Sequence, residues 1–420
     1  MSLLDVSSSG LGLLLGIALG SGLPATPRAR AAARPLTLPQ AVQLALQHNT
    51  DARSAQADVT SAHGALEQST AFENPGLFVS ALGTQVNPAT WPKPNQFGVT
   101  WTLPIGGKRG AGIASARAGL SAARATQTSV VQQLELNVAQ AFVTVLLNQS
   151  LLAFARQDQA NFQETLALDE VRYKDGQIAY GELLKLRLQA LAIDDAVRSA
   201  ASAQVQARAD LAQLLGTAAD EADLSLAGEL APVAAPDLSP QTLISQALEQ
   251  RPDIKAADAQ TQSAKDALSQ QRRQPIPDLG ILADYNHASG DPDSFDLQLS
   301  VSIPLLDRNG GNVEQAEAAL TKAQLAREAL ELDIRTTAVK ALEELHASQA
   351  QLAAYQSGVK TGRESLEISR HAFHAGQGSL LDFLDAETSN RQVEVAYRNA
   401  IAREAVAAYN LRFIAGQGLP

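Results

Sequence analysis

Tyr173-Lys174-Asp175-Gly176-Gln177 and Phe373-His374-Ala375-Gly376-Gln377 decide the fold of this chain, because one word, aromatic-x-x-Gly-Gln, occurs twice at a shift of 200 residues. At the same shift Ile113, Ala116, Leu120, Ala123, Val130, Leu134 and Ala141 meet Val313, Ala316, Leu320, Ala323, Leu330, Ile334 and Ala341. Leu103-Pro104-Ile105 meets Ile303-Pro304-Leu305. Upstream the shift becomes 202, pairing Asp51 with Asp253, Pro75 with Pro277 and Leu77 with Leu279, so the copies differ by a two-residue loop length between Leu77 and Pro104. A period this long is no stacked solenoid. It predicts two similar halves, a first repeat over 34–230 and a second over 239–420. The linker over 231–238 joins them, centred on Ala231-Pro232-Val233-Ala234-Ala235-Pro236.

Each half reads helix, two strands, very long helix, turn, helix. No proline falls between Pro104 and Pro232 or between Pro304 and Pro420. The matched apolar positions step by three and four, the rhythm of a coiled-coil seam, and many are Ala, which lets helices approach closely. A helix from Gly107 to Asp175 would be on the order of 100 Å long. The shorter helices, Pro39–Phe72 with Ile178–Leu215 and Pro240–Arg273 with Leu380–Ile414, together match one long partner. Breaks are expected at Asn49-Thr50-Asp51 and at Arg251-Pro252-Asp253, where Pro252 disfavours a continuous helix.

Between the helices the period falls to two. Phe97, Val99, Trp101 and Leu103 alternate with polar or small residues, as do Phe295, Leu297, Leu299, Val301 and Ile303. Leu279, Ile281, Ala283 and Tyr285 do the same, with Leu282 breaking the polar set, and Leu77–Thr84 is the least regular strand. Turns at 87–94 and 288–292 would close two hairpins. The runs suit tilted membrane strands, but four strands cannot close a membrane barrel and open edges are not tolerated in lipid. Either the strands stay in water, or several chains share a barrel, and three copies would make twelve strands.

Composition narrows the function. Aromatics make up only 4% against 45% apolar residues, as expected of long, thinly packed helices. A net charge of −11, from 33 basic and 44 acidic residues, argues against a nucleic-acid surface. No Cys is present, which removes thiol catalysis, disulfides, thiolate zinc sites and lipid attachment through Cys. Gly10–Leu23 followed by Ala29, Ala31 and Ala33 reads as a signal peptide over 1–33, although the segment before it carries Asp5 and no Lys or Arg. Beyond Arg34 no apolar run of membrane-spanning length is expected, which leaves β-strands as the route into a bilayer.

Taken together, Leu38-Pro39-Gln40-Ala41-Val42-Gln43-Leu44-Ala45-Leu46, its copy at 239–248, Asn74-Pro75-Gly76-Leu77 and the duplicated glycine turns resemble the TolC-type outer-membrane efflux family over essentially all of the chain after residue 33. Leu103-Pro104-Ile105-Gly106-Gly107-Lys108-Arg109 is similar to the outer-membrane component of cobalt–zinc–cadmium-type heavy-metal exporters. The resemblance implies a mainly α fold with a small β part. It implies a homotrimer whose 12-stranded β-barrel lies in outer-membrane lipid and continues as an α-helical barrel in the periplasm. It also implies a periplasmic adaptor protein and an inner-membrane pump of RND type as partners. The function so implied is a passive conduit for metal ions or small toxic compounds. A type I protein-secretion duct and a soluble periplasmic coiled-coil scaffold are the alternatives. Thr50 stands where the family often has Pro.

Candidate residues follow. Gly176 and Gly376 end the long helices, and the resemblance places them at periplasmic tips that meet the adaptor. The resemblance also implies that Asp382 and Asp385, with Glu182 from the first half, line the pore's periplasmic entrance; carboxylates gathered there attract cations. Ser379-Leu380-Leu381-Asp382 also reads as a variant capping box. Lys185 stands where the second repeat has Asp385, so a ring would be asymmetric. Gly106, Gly107, Lys108 and Arg109 lack the spacing of a phosphate loop. They read as a strand-to-helix junction at the membrane interface, its cations near headgroups. His371 and His374 share a helix face without a third ligand nearby, so no metal site is assigned. No nucleophile–base set emerges, so neither an enzyme nor a cofactor is expected.

Overall fold

The computed structural model describes residues 35–80, 95–217, 225–287 and 292–418. The expected signal peptide, the turn at 87–94 and most of the turn at 288–292 lie outside them. In chain order the elements are α1 Leu38–His48, α2 Thr50–Thr70, β1 Gly76–Ser80, β2 Gln96–Leu103, α3 Lys108–Lys174 and α4 Tyr180–Leu214, then α5 Pro240–Gln250, α6 Pro252–Arg273, β3 Leu279–Asn286, β4 Ser294–Val301, α7 Gly310–His374 and α8 Leu380–Ile414. The two repeats therefore have the same order. The 67-residue α3 and 65-residue α7 are each about 100 Å long at 1.5 Å per residue.

Both helix breaks fall where expected. Asn49 ends α1 and caps α2: its Oδ1 accepts the Asp51 and Ala52 N–H groups (2.8 and 3.4 Å), and its Nδ2 donates to the Leu214 carbonyl (3.0 Å). A buried amide thus supplies the kink without a proline. In the second repeat Pro252 opens α6, and Arg251 at the break forks onto Asp253 (3.1 and 2.6 Å).

Each long helix runs beside the shorter helices of its own repeat, but α3 also packs on α6 and α8 of the other repeat. Cross-repeat packing extends the one-partner geometry drawn from helix lengths. One hydrophobic cluster joins Leu136, Ala139 and Val143 of α3 to Ala402, Ala405 and Tyr409 of α8. Another joins Phe162, Leu186 and Ile193 to Phe373, Leu380 and Phe383 at the far end of the helices. The linker is fastened rather than loose: Val233 N–H donates to Glu404 Oε2 (3.0 Å), and Arg412 Nη2 donates to the Ala234 carbonyl (2.7 Å).

One expectation needs correcting. α3 contains an 18-residue window of mean hydropathy 1.6, long and apolar enough to span a membrane by that measure. The apolar residues are spent on helix packing instead, with Val138, Phe142, Val145 and Leu146 all buried in the first repeat's core.

The strands form one antiparallel sheet in the order β1-β2-β3-β4, so the two hairpins meet through β2 and β3. The register aligns the parities. Leu77 faces Val99, Val99 faces Ala283, and Ala283 faces Leu297, while Trp101, Ile281 and Leu299 form the next row. One face is therefore apolar throughout, and most of its large side chains are exposed. The opposite face carries Gln96, Thr100, Asp284, Asn286, Asp296, Gln298 and Ser300, with Phe78 lying over Gly98 where a Cβ would clash at 2.3 Å. Ile303, read as part of β4, lies two residues past its end.

Candidate channel and gate residues

At the tips, Gly176 and Gly376 adopt φ values of 73° and 70°. Gln177 N–H donates to the Arg172 carbonyl and Gln377 N–H to the Ala372 carbonyl, both at 2.8 Å. These six-to-one bonds are Schellman closures, which demand a left-handed residue just past the helix and explain the duplicated Gly-Gln. The first tip stacks Tyr173 against Tyr180 (ring centroids 5.7 Å apart), and both are exposed.

Asp382 and Asp385 sit in the first turns of α8, and both are exposed. Ser379 is the N-cap: its Oγ accepts the Asp382 N–H (3.1 Å) and donates to Asp382 Oδ2 (2.7 Å). Only the Ser379 half of the expected capping box forms: Asp382 turns back onto the Ser379 hydroxyl instead of the Ser379 N–H, which leaves its second carboxylate oxygen outside that bond. In α4 Glu182 makes the other half of such a box, its Oε2 accepting the Ala179 N–H (3.2 Å). Lys185 is exposed on the same helix. Asp382 and Glu182 therefore lie in first turns next to the tips, where the helix dipole favours their charge, and Asp385 follows one turn further on.

The junction residues are arranged differently from the expectation. Gly106 and Gly107 take φ near +75°, and a Cβ on Gly106 would strike Ile276. Lys108 does not face outward. It is buried, and its Nζ meets Asp278 Oδ1 at 2.8 Å. Arg109 donates to the Thr70 carbonyl and lies over the Phe72 ring (4.0 Å). Both cations thus lock α3 to neighbouring elements instead of reaching headgroups.

The histidine pair does not converge on an ion: His371 Nδ1 approaches the Glu367 carbonyl (2.8 Å), whereas His374 packs on Phe373 and Phe383. Burial holds His374 below its ordinary pKa. Among the described residues no group of three or more potential ligands surrounds a metal position.

A buried charged ladder along α8 went unnoticed in the sequence. Glu387, Arg391, Glu394 and Arg398 follow one another at spacings of four, three and four. Arg391 bonds Asp158 of α3 (2.7 Å) and Glu387, Arg363 of α7 reaches Glu394, and Arg398 lies over the Phe154 ring (4.5 Å). Burial raises Glu387 to about 7, against the pull of Arg391. Burial also acts upward on Glu394, but Arg363 and Arg398 outweigh it and hold it low. The alternating acid–base spacing was the available signal.

Long paired helices, a sheet apolar on one face and polar on the other, and acids at helix ends define a membrane-channel protomer. A family model, "Outer membrane efflux protein", matches the chain twice, over residues 41–217 and 243–417, once in each repeat. The chain belongs to this family and is an outer-membrane efflux protein. It is 25% identical over 399 residues to the cobalt-zinc-cadmium resistance protein CzcC of Cupriavidus metallidurans, covering 94% of this chain and 93% of the relative. It is likewise 25% identical over 299 residues to the alkaline protease secretion protein AprF of Pseudomonas aeruginosa, covering 68% of this chain and 62% of that protein. A crystal structure of CusC shares the fold with a TM-score of 0.78 at 22% identity, covering 91% of this chain and 92% of CusC.

Proposed function

We propose that this chain is one third of a passive trimeric conduit that exports metal ions or small toxic compounds from the periplasm to the exterior. In this reading it docks through a periplasmic adaptor onto an inner-membrane pump of RND type. The observation that carries it is the sheet: four strands with one continuous apolar face, and no strand on the outer edge of β1 or of β4 among the described residues. Three copies supply twelve strands, which removes every edge and turns the polar face inward around water. The helices support association with further copies. Leu325, Leu332 and Val339 recur at seven-residue intervals on α7, Leu184, Leu188 and Leu191 recur on α4, and all six are exposed. Such stripes fit helices of neighbouring copies closing a helical barrel.

In this conduit Gly176 and Gly376 shape the tips that meet the adaptor, and Asp382, Asp385 and Glu182 ring the narrow periplasmic entrance. Gly106, Gly107, Lys108 and Arg109 brace the turn from barrel strand to helix. The likeness to CzcC supports metal ions as cargo. The likeness to AprF supports protein secretion as the second reading.

In planar bilayers the purified protein should conduct and favour cations, and Asp382→Ala with Asp385→Ala should raise conductance while weakening cation preference. Unchanged conductance and selectivity would remove the gate assignment. Loss of cobalt, zinc and cadmium tolerance when the gene is deleted separates metal export from secretion, which predicts loss of an exported protein instead.

A further inference from the structure

We propose that the junction between β4 and α7, Ile303 to Arg308, anchors the protein in the membrane interface. Ile303, Leu305 and Leu306 enter the acyl layer, and Arg308 meets phospholipid headgroups. The inference rests on the reading that the apolar face of the sheet is its lipid face.

The alternation of that face does not stop where β4 ends. Phe295, Leu297, Leu299 and Val301 are followed by Ile303 and Leu305, and Ile303, Leu305 and Leu306 are 70%, 72% and 102% exposed. Their display is built into the backbone. Leu305 N–H donates to the Ile303 carbonyl (2.9 Å), a tight turn around Pro304 that ends the strand. Beyond it, Asp307 Oδ1 accepts the Asn309 N–H (2.8 Å), and Asn309 sits at φ 59°. Its Nδ2 donates to the carbonyl and Oε1 of Gln271 on α6 (2.8 and 3.0 Å). The loop is therefore tied to the helices while three large apolar side chains point into open space, an arrangement that water disfavours.

The duplication shows what is particular to this junction. At the shift of 200, Gly106 corresponds to Leu306 and Lys108 to Arg308. The first repeat turns inward, with Gly106 against Ile276 and Lys108 buried on Asp278. The second turns outward: Leu306 is bare, and the exposed Arg308 side chain has no hydrogen bond or ion pair among the described residues. An exposed cation two residues beyond apolar side chains suits the boundary between acyl chains and phosphates. Continuity with the apolar sheet face and this cation favour lipid over a second copy as the occupant.

Because the sequence has no Cys, single labels are unambiguous. Nitroxide-labelled Leu306→Cys, Leu299→Cys and Asp175→Cys variants are reconstituted in phosphatidylethanolamine–phosphatidylglycerol vesicles and probed by collision with oxygen and with an aqueous nickel chelate. The label at 306 should match that at 299, favouring oxygen several-fold, while the label at 175 favours nickel. If 299 favours oxygen but 306 is open to nickel, the anchor is overturned. Shielding of 306 from both probes overturns it in favour of a second copy. Nickel access at 299 removes the lipid-face reading and the anchor with it. Adding Arg308→Glu to the Leu306→Cys variant should at least halve the oxygen preference at 306, and no change would overturn the headgroup role of Arg308.

Discussion

Glu387 shows how much a single buried side chain can weigh. It lies among Arg391 of its own helix and Asp158 of α3, and its Oε2 has no hydrogen-bond partner. Burial lifts it to about 7 from an ordinary 4.5, so the folded protein takes up its proton more readily than the unfolded chain. Stability from this group is then full below about 4.5 and is lost as pH rises through about 7. Glu387→Gln should therefore gain stability at pH 8, on the order of 1–3 kcal/mol, with the gain vanishing by pH 4.5. Thermal unfolding of detergent-solubilised protein by circular dichroism reads this, and an equal gain at both pH values would refute it. The four-three-four spacing of the ladder was present in the sequence, but its partners were not. Asp158 and Arg363 look like ordinary helix-surface charges until α3 and α7 are packed beside α8. Lys108 failed to read correctly for the same reason, since its partner Asp278 is 170 residues away.

Helices and strands were legible because their signals are local. The absence of proline marked α3 and α7, the Gly-Gln words marked their ends, and alternation gave β2 its bounds of Gln96 and Leu103. What stayed hidden is which helix lies beside which, because Ala-rich seams at steps of three and four fit many partners equally well. Hence the packing of α3 on α6 came from the structure. The α1–α2 break is the clearest case of an element boundary set by one side chain. Asn49→Ala removes the α2 cap and the bond to the Leu214 carbonyl together, and should cost about 1–2 kcal/mol. Hydrogen exchange should then speed up in the first turn of α2 and the last turn of α4, while exchange at the distant Gly376 tip stays as before. Unchanged protection at both helix ends would show that Asn49 does not hold them.

Across the whole molecule, the duplicated order disclosed an outer-membrane efflux protein, and Asp382, Asp385 and Glu182 stand near the helix N-termini beside the tips. The exposed seam of α7 offers the sharpest check on assembly. Leu325→Glu with Leu332→Glu should leave helix content intact and shift the mass in mild detergent from trimer to monomer, read by light scattering behind size exclusion. A trimer that survives both changes would place the subunit contact elsewhere. The order β1-β2-β3-β4 also bears on how such a protein matures. Its central seam, β2 against β3, is zipped by a single polypeptide, whereas both outer borders are raw among the described residues. A newly exported copy therefore arrives half-finished, sticky along two flanks. If three siblings close the barrel as proposed, insertion and their meeting would have to be a single concerted event, or stray chains would stitch themselves onto whatever strand passed by.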